Sequence, residues 1–152
     1  MVGHALAVAD LSAAYARHAH RVARGVALLD RKLVLVQDEI EPDNPAEVWW
    51  FLHTPASVEV GQDGTTATLA LGQAKLLARI LAPAQASFKV MDAAPLPKSP
   101  HPDGQNTNAK VRKLAIQLQA VKDTRLAVLF TPVADGAAVS GARPTITPLA
   151  NW

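Results

Sequence analysis

Short apolar segments, each followed closely by glycine, proline or aspartate, are the feature that most constrains the fold of this chain. Several segments alternate in polarity with a period of two, which is typical of strands that bury one face. The Asp-Gly pair at residues 63–64 supplies the positive φ that a tight reversal requires. This pattern predicts an all-β chain of about nine short strands and no long helix. The predicted strands cover residues 18–29, 32–40, 47–54, 57–60, 65–71, 75–81, 87–91, 110–119 and 125–131.

The length and composition of the chain indicate one domain. Its 152 residues, 49% of them hydrophobic, are enough for a sizeable core, since domains typically contain roughly 100–200 residues. Residues 93–108 contain four prolines and are predicted to form a long loop, and the Gly/Ala/Pro-rich residues 134–152 are predicted to form a tail. We therefore expect a single antiparallel two-sheet β-sandwich over residues 1–152.

The sequence also predicts the turn within the first hairpin and the loop that follows it. Asp30 and Arg31 are predicted to form a two-residue reversal between its strands. Residues 41–45 carry two prolines, which cannot donate hydrogen bonds to a strand ladder, so this run is predicted to be a loop.

Two segments leave a helix as the alternative to a strand. Residues 9–24 are rich in alanine and begin with Asp10 and Ser12, which favour helix N-termini. Their apolar positions do not follow helical spacing, so a strand is the preferred interpretation from residue 18 onward. Residues 75–81 have helical propensity, but a segment of this length between Gly72 and Pro83 is too short to be stable as an isolated helix.

Charge and composition exclude several classes of function. The formal net charge is +2, from 15 basic and 13 acidic residues, and no cationic cluster suited to nucleic acid is evident. The chain has no cysteine, which excludes disulfides and thiolate chemistry. No apolar stretch approaches the length of a signal peptide core or a bilayer span. We expect a soluble chain without a targeting signal, a membrane span or a nucleic-acid partner.

Several short motifs occur in an order that is similar to a known family. They are Asp10-Leu-Ser-Ala-Ala-Tyr15, Arg24-Gly-Val-Ala-Leu-Leu-Asp30, Leu35-Val-Gln-Asp-Glu-Ile40, Trp50-Phe-Leu-His-Thr54, Leu81-Ala-Pro83, Asn106 and Leu126-Ala-Val-Leu-Phe-Thr-Pro132. In this order they resemble the C-terminal β-sandwich domain of the heparinase II/III-like polysaccharide lyases. The resemblance extends over residues 8–135, and its specificity lies in the order of the motifs because each one alone is short.

The resemblance implies an enzyme class for the parent protein and a supporting role for this chain. Enzymes of the family cleave heparin, heparan sulfate or alginate by β-elimination, in which a base removes the C5 proton of a uronate. Their catalytic groups lie mainly on an N-terminal α/α toroid and at its junction with the β region, where some members bind a metal. No residue here matches the catalytic Tyr, Asn or His, and Tyr15 belongs to a β-domain motif, so we predict no catalytic residue.

The resemblance also implies partners and a location. The expected partners are the α/α toroid of the parent lyase and an acidic polysaccharide. A homodimer through the exposed docking face is expected when the toroid is absent. A periplasmic or secreted location is implied for the parent.

Histidines give the chain one candidate metal site. His18 and His20 are two residues apart on a predicted strand, so both rings are expected on one face. With Asp38 across the hairpin, or with His53, they would form a three-ligand zinc site. The competing interpretation is a pair of surface or core histidines, with His53 serving as a buried hydrogen-bond partner. Because the ligand set is incomplete, we expect no cofactor and keep zinc as the alternative.

Aromatic and basic residues are the candidate glycan contacts. Trp49 and Trp50 point to opposite faces of a strand, and we take Trp50 as the ring that stacks on a sugar. Arg17 and Arg21 share a face and suit carboxylates or sulfates, whereas Arg24 falls on the other face. Lys98 lies in the Pro-rich loop and would rim a cleft. Core packing for both tryptophans and a solvated surface for the arginines are the competing interpretations.

Three functions therefore remain open at the sequence level. The first is a non-catalytic, cleft-supporting β module of a uronate-polysaccharide lyase. The second is a stand-alone glycan-binding module that uses a tryptophan and arginines. The third is a self-sufficient metal-dependent lyase.

Overall fold

The computed structural model describes residues 5–133 and 143–152 of the chain. The elements are β1 Ala5–Asp10, α1 Ser12–Tyr15, β2 Ala19–Leu29, β3 Leu33–Pro42, β4 Ala46–Thr54, β5 Ser57–Val60, β6 Thr66–Leu71, β7 Ala74–Ala82, β8 Phe88–Asp92, β9 Arg112–Val121, β10 Thr124–Val133 and a 3₁₀ turn at Leu149–Asn151. Each of the nine predicted strands is present with small shifts at its ends. Neither described helix is long or apolar enough to cross a bilayer.

The strands form two sheets, as predicted for a β-sandwich. The large sheet has the order β1-β2-β3-β10-β7-β6-β5, and the small sheet has the order β4-β9-β8. Each pairing between neighbouring strands in the described chain is antiparallel. Alternating apolar residues of the two sheets meet between them, where Leu114, Ile116, Leu126 and Val128 are fully buried. Burial of these side chains, rather than local propensity, holds the strands in register.

The turn of the first hairpin is one residue longer than predicted. Asp30 and Arg31 do adopt positive φ values of 49° and 55°. However, Leu29 pairs with Leu33, so Lys32 also belongs to the connection. A two-residue connection would have paired Leu29 with Lys32, and the extra residue shifts the partner of each β2 residue by one position.

The loop predicted over residues 41–45 begins later than expected. β3 continues to Pro42, which pairs with Ala19 across a register shift in β2. Proline is tolerated here because it stands at the last position of the strand. Downstream, residues 93–111 form a long connection between β8 and β9, as the four prolines predicted.

The N-terminal region contains a strand that was not predicted. β1 pairs with β2 along its whole length, although all six of its residues are exposed. The helix considered for residues 9–24 is limited to the four residues of α1. At its start, the Ser12 backbone N–H donates a hydrogen bond to Asp10 Oδ1. Local sequence did not indicate β1 because a strand exposed on both faces lacks a buried side to mark it.

The C-terminal residues are not a simple tail. Residues 134–142, part of the predicted tail, lie outside the described residues, but residues 143–152 pack on the outer face of the large sheet. Ile146 and Trp152 pack against a second core cluster that contains Leu35 and Leu129. A Cβ atom at Gly25 would lie 2.4 Å from Leu149 Cδ2 and 2.7 Å from Trp152 Cζ3, so a side chain at residue 25 would force Leu149 and Trp152 to shift.

The small sheet leaves one part of the large sheet uncovered. Val26 and Leu28 of β2 point to the same side of the large sheet as the main core but remain 41% and 39% exposed. On the opposite side, Leu6 and Val8 of β1 are 53% and 46% exposed. We call these four residues the apolar edge. Large exposed apolar groups on two neighbouring strands are typical of a surface that contacts another protein.

Candidate functional site

A cleft of about 620 Å³ opens where the uncovered part of the large sheet meets the edge of the small sheet. Its apolar floor is formed by Val22, Ile40 and Leu126, and β4 contributes a wall with Val48 and Trp50. The rim carries polar side chains from the N-terminal turn, from β4 and from the Pro-rich loop, namely Tyr15, His18, Glu47, Lys98 and Ser99. Such a mixture of an apolar floor and a few polar groups is typical of a small-molecule site.

An ion pair lies in this cleft. Arg24 and Asp38 are register partners on β2 and β3, and Arg24 donates from Nε to Oδ1 at 2.7 Å and from Nη2 to Oδ2 at 2.9 Å. The side chain of Asp38 is only 5% exposed, whereas that of Arg24 is 44% exposed. Hydrogen bonding to Asp38 raises the pKa of Arg24 above its usual range. The guanidinium is therefore held in one orientation and stays cationic, and its side chain remains partly open to solvent.

Trp50, which also lines the cleft, carries a buried polar group. Its side chain belongs to the main core and is 6% exposed, as the core-packing interpretation predicted. Its ring is therefore not free to stack on a sugar from solvent. The indole Nε1 is buried and has no hydrogen-bond partner among the described residues. Burying an N–H group without a hydrogen-bond partner costs roughly 1–3 kcal/mol. An acceptor atom that reached this nitrogen would recover part of that cost.

A separate carboxylate cluster lies on the opposite face of the large sheet. Glu39 Oε1 accepts hydrogen bonds from Arg125 Nε at 3.0 Å and from the Leu149 backbone N–H at 2.9 Å, and its Oε2 accepts from Arg21 Nη2 at 2.9 Å. Burial opposes ionisation of Glu39, but these donors outweigh it and lower its pKa. Arg21 also donates to Glu41 at 2.8 Å. Arg21 is thus occupied by two carboxylates, and the cluster holds the C-terminal segment on the sheet.

The glycan candidates lie in different places. Lys98 and Trp50 line the cleft. Arg21 lies on the opposite face of the large sheet in the carboxylate cluster, and Arg17 is exposed in the turn before β2. The structure brings Lys98 together with Arg24, which the sequence had set apart from the other arginines.

The four candidate metal ligands are not brought together. His18 is at the rim of the cleft, while His20 contacts Glu41 at 3.0 Å and Asp43 at 3.5 Å. Asp38 is bound to Arg24, and His53 packs edge-on against a phenylalanine on the outer face of the small sheet. Within residues 5–133 and 143–152 no group of three or more His, Cys, Asp or Glu residues is arranged to hold a metal. The register shift between Ala19 and Arg21 removes the simple alternation that predicted His18 and His20 on one face.

Sequence reasoning missed the Arg24–Asp38 pair, and the reason is the register. With a two-residue turn at Asp30 and Arg31, Arg24 would lie opposite Gln37. The three-residue connection places it opposite Asp38. The spacing of Arg24 and Asp38 around the turn could have predicted this pair, but only if the connection had been assigned three residues.

The fold is similar to solved structures of lyases. A heparan sulfate lyase, HepC, from Pedobacter heparinus matches with a TM-score of 0.64 and 11% identity, over 90% of this chain and 21% of that chain. A heparinase III gene product matches with a TM-score of 0.62 and 13% identity, over 88% of this chain and 20% of that chain. A heparinase III matches with a TM-score of 0.57 and 17% identity, over 86% of this chain and 20% of that chain.

The chain therefore spans about a fifth of the length of these structures. At these identities the likeness establishes a shared fold, and at that level it confirms the resemblance predicted from the motifs. No family model matches the sequence, and no curated protein matches it.

Proposed function

We propose that this chain is a non-catalytic β-sandwich module of a heparinase-type lyase that cleaves a uronate-containing polysaccharide. The observation that carries the proposal is the structural likeness to heparinase III and heparan sulfate lyase over most of this chain but only about a fifth of theirs. In this proposal, groups that remove the uronate proton are supplied by a helical domain of the parent protein. The module supports the substrate cleft and stabilises that domain.

The apolar edge supports the proposal of a missing partner domain. Leu6, Val8, Val26 and Leu28 are exposed on the two neighbouring strands at one end of the large sheet. A helical domain packed over Val26 and Leu28, which lie on the same face of the sheet as the cleft, would remove these two side chains from water, which is favourable by roughly 25 cal/mol per Å² of apolar surface. The cleft lies beside this edge, so a domain seated on the edge would form a second wall of the cleft.

The proposal is tested by assaying the isolated chain for lyase activity. We expect no unsaturated uronate product from heparan sulfate, heparin or alginate in an ultraviolet absorbance assay, with and without added zinc or calcium. A heparinase of known activity in the same buffer serves as the positive control. Steady product formation by the isolated chain would overturn the non-catalytic assignment, and activity that required zinc would favour the metal-dependent lyase instead.

A further inference from the structure

We propose that the cleft beside the apolar edge is itself a binding site for a hexuronate unit of an acidic oligosaccharide. Arg24 would bind the carboxylate of the sugar, and Trp50 Nε1 would donate to one of its oxygen atoms. This inference rests on the proposed function for the class of saccharide, but the site is defined by groups of this chain alone.

Arg24 has the geometry of a carboxylate ligand. Of its five N–H groups, one on Nε and one on Nη2 are used by Asp38. For the other three, two on Nη1 and one on Nη2, no hydrogen bond to a described residue is present, and Arg24 lines the cleft. Because Asp38 fixes the plane of the guanidinium, little side-chain entropy is lost when a second carboxylate binds to the free edge.

Trp50 provides a second, independent observation at the cleft. It lines the cleft, is more than nine-tenths buried, and has an Nε1 donor without a partner in the described structure. A hydroxyl or ring oxygen that reaches this depth would satisfy the donor. Saccharides offer acceptors on every carbon of the ring, and a cleft of about 620 Å³ has room for more than one sugar unit.

The charges at the rim favour one carboxylate over dense sulfation. Lys98 adds a cation from the Pro-rich loop, whereas Glu47 adds an anion on β4. Glu47 accepts hydrogen bonds from Gln117 and Gln119, and these donors lower its pKa, so it stays charged at neutral pH. His18 and Tyr15 complete the polar rim. A second anionic group near Glu47 would be repelled, so a unit with one carboxylate and free hydroxyls fits best.

The test is calorimetric titration of the full chain with an alginate tetrasaccharide, which carries a carboxylate on each sugar and no sulfate. Cellotetraose, an uncharged oligosaccharide of the same length, is the ligand control, and a heparin tetrasaccharide measures the effect of sulfation. We expect binding of alginate to exceed that of cellotetraose by about tenfold or more. We expect added sulfate to give no further gain in affinity.

Paired substitutions test the residues. Arg24→Gln combined with Asp38→Asn removes the cation without leaving a buried carboxylate unpaired, and should weaken alginate binding by about tenfold or more. Trp50→Phe removes only the indole donor and part of the ring, and should weaken binding several-fold. Arg21→Gln is the matched control on the opposite face of β2 and should leave the affinity unchanged.

Lys98→Ala should weaken binding about two- to fivefold, whereas Lys110→Ala, in the same loop but outside the cleft, should not.

Several results would overturn the site. They are absence of binding by the wild-type chain, equal affinity for alginate and cellotetraose, or unchanged affinity in the Arg24→Gln and Asp38→Asn double variant when its circular dichroism spectrum shows it to be folded. These results would leave the proposed lyase-module function standing, since the substrate could be held entirely by the parent's other domain. Conversely, turnover by the isolated chain would overturn that function and leave the binding result intact.

Discussion

Arg21 and Arg24 lie three residues apart on β2, and the alternation of the strand sends their side chains to opposite faces of the large sheet. This separation could be predicted from the sequence because it depends only on a period of two. The ion-pair partners of the two arginines could not be predicted, because Glu39, Glu41 and Asp38 lie on the neighbouring strand β3. A change of one residue in the turn length gives every β2 residue a different partner. The prediction that His18 and His20 share a face failed for another reason, because His18 precedes β2 and the pairing register shifts between Ala19 and Arg21.

At the scale of single residues, the clearest pH dependence belongs to Glu39. The donors around it lower its pKa below the ordinary value of 4.5, so its contribution to stability is complete above that pH and is lost as the pH falls through the folded-state pKa. We expect Glu39→Gln to reduce the free energy of unfolding by about 1–3 kcal/mol at neutral pH. The difference from wild type should shrink on acidification to about pH 3, as measured by urea denaturation.

Glu59→Gln provides the control for this substitution. Glu59 is an exposed residue of β5, so its replacement should change the free energy of unfolding little at either pH. A constant difference between wild type and Glu39→Gln across the pH range would contradict an ionised Glu39 in the folded state.

At the scale of elements, the strands that bury one face were predictable and the elements that depend on distant partners were not. β7 and β10 show clear apolar runs between turn residues, and both are strands in the structure. β1 is exposed on both faces, so its place in the described sheet depends on its pairing with β2. The docking of residues 143–152 depends on Gly25 and Glu39, which lie more than a hundred residues earlier in the chain.

The Pro-rich connection between β8 and β9 has an anchor that can be tested. Lys113 is buried and donates from Nζ to the carbonyl oxygen of Ala94 at 2.6 Å, and the same Nζ lies 4.6 Å from the centre of the Phe51 ring. Lys113→Met keeps most of the apolar volume but removes the bond to the loop. We expect trypsin to cleave after Lys98 and Lys110 about three- to tenfold faster in this variant, as measured by limited proteolysis.

Lys89→Met is the matched control, because Lys89 also covers an aromatic ring of β4 but bonds to Gln117 rather than to the loop. It should leave the cleavage rate near that of wild type. Equal acceleration by the two substitutions would show that general loosening of the small sheet, and not the bond to Ala94, sets the rate.

At the scale of the whole molecule, the two faces of the large sheet are completed in different ways. The small sheet covers most of one face, and the C-terminal segment covers part of the other. Neither the small sheet nor the C-terminal segment covers the apolar edge, which is the surface assigned to a partner domain in the proposed function. The sequence predicted an exposed docking face from the resemblance, but its location on β1 and β2 required the strand order.

The apolar edge therefore predicts how the isolated chain behaves in solution. Without a partner domain, we expect two copies to associate through this edge at concentrations of tens of micromolar or more, because pairing hides the exposed Val26 and Leu28 from water. The double variant Val26→Thr and Leu28→Thr should raise the dimer dissociation constant about tenfold or more in sedimentation velocity. Leu71→Thr with Val90→Thr removes two exposed apolar residues that lie elsewhere, and it should leave association unchanged. A wild-type chain that stays monomeric at about ten times these concentrations, or equal effects of the two double variants, would show that the edge does not drive association.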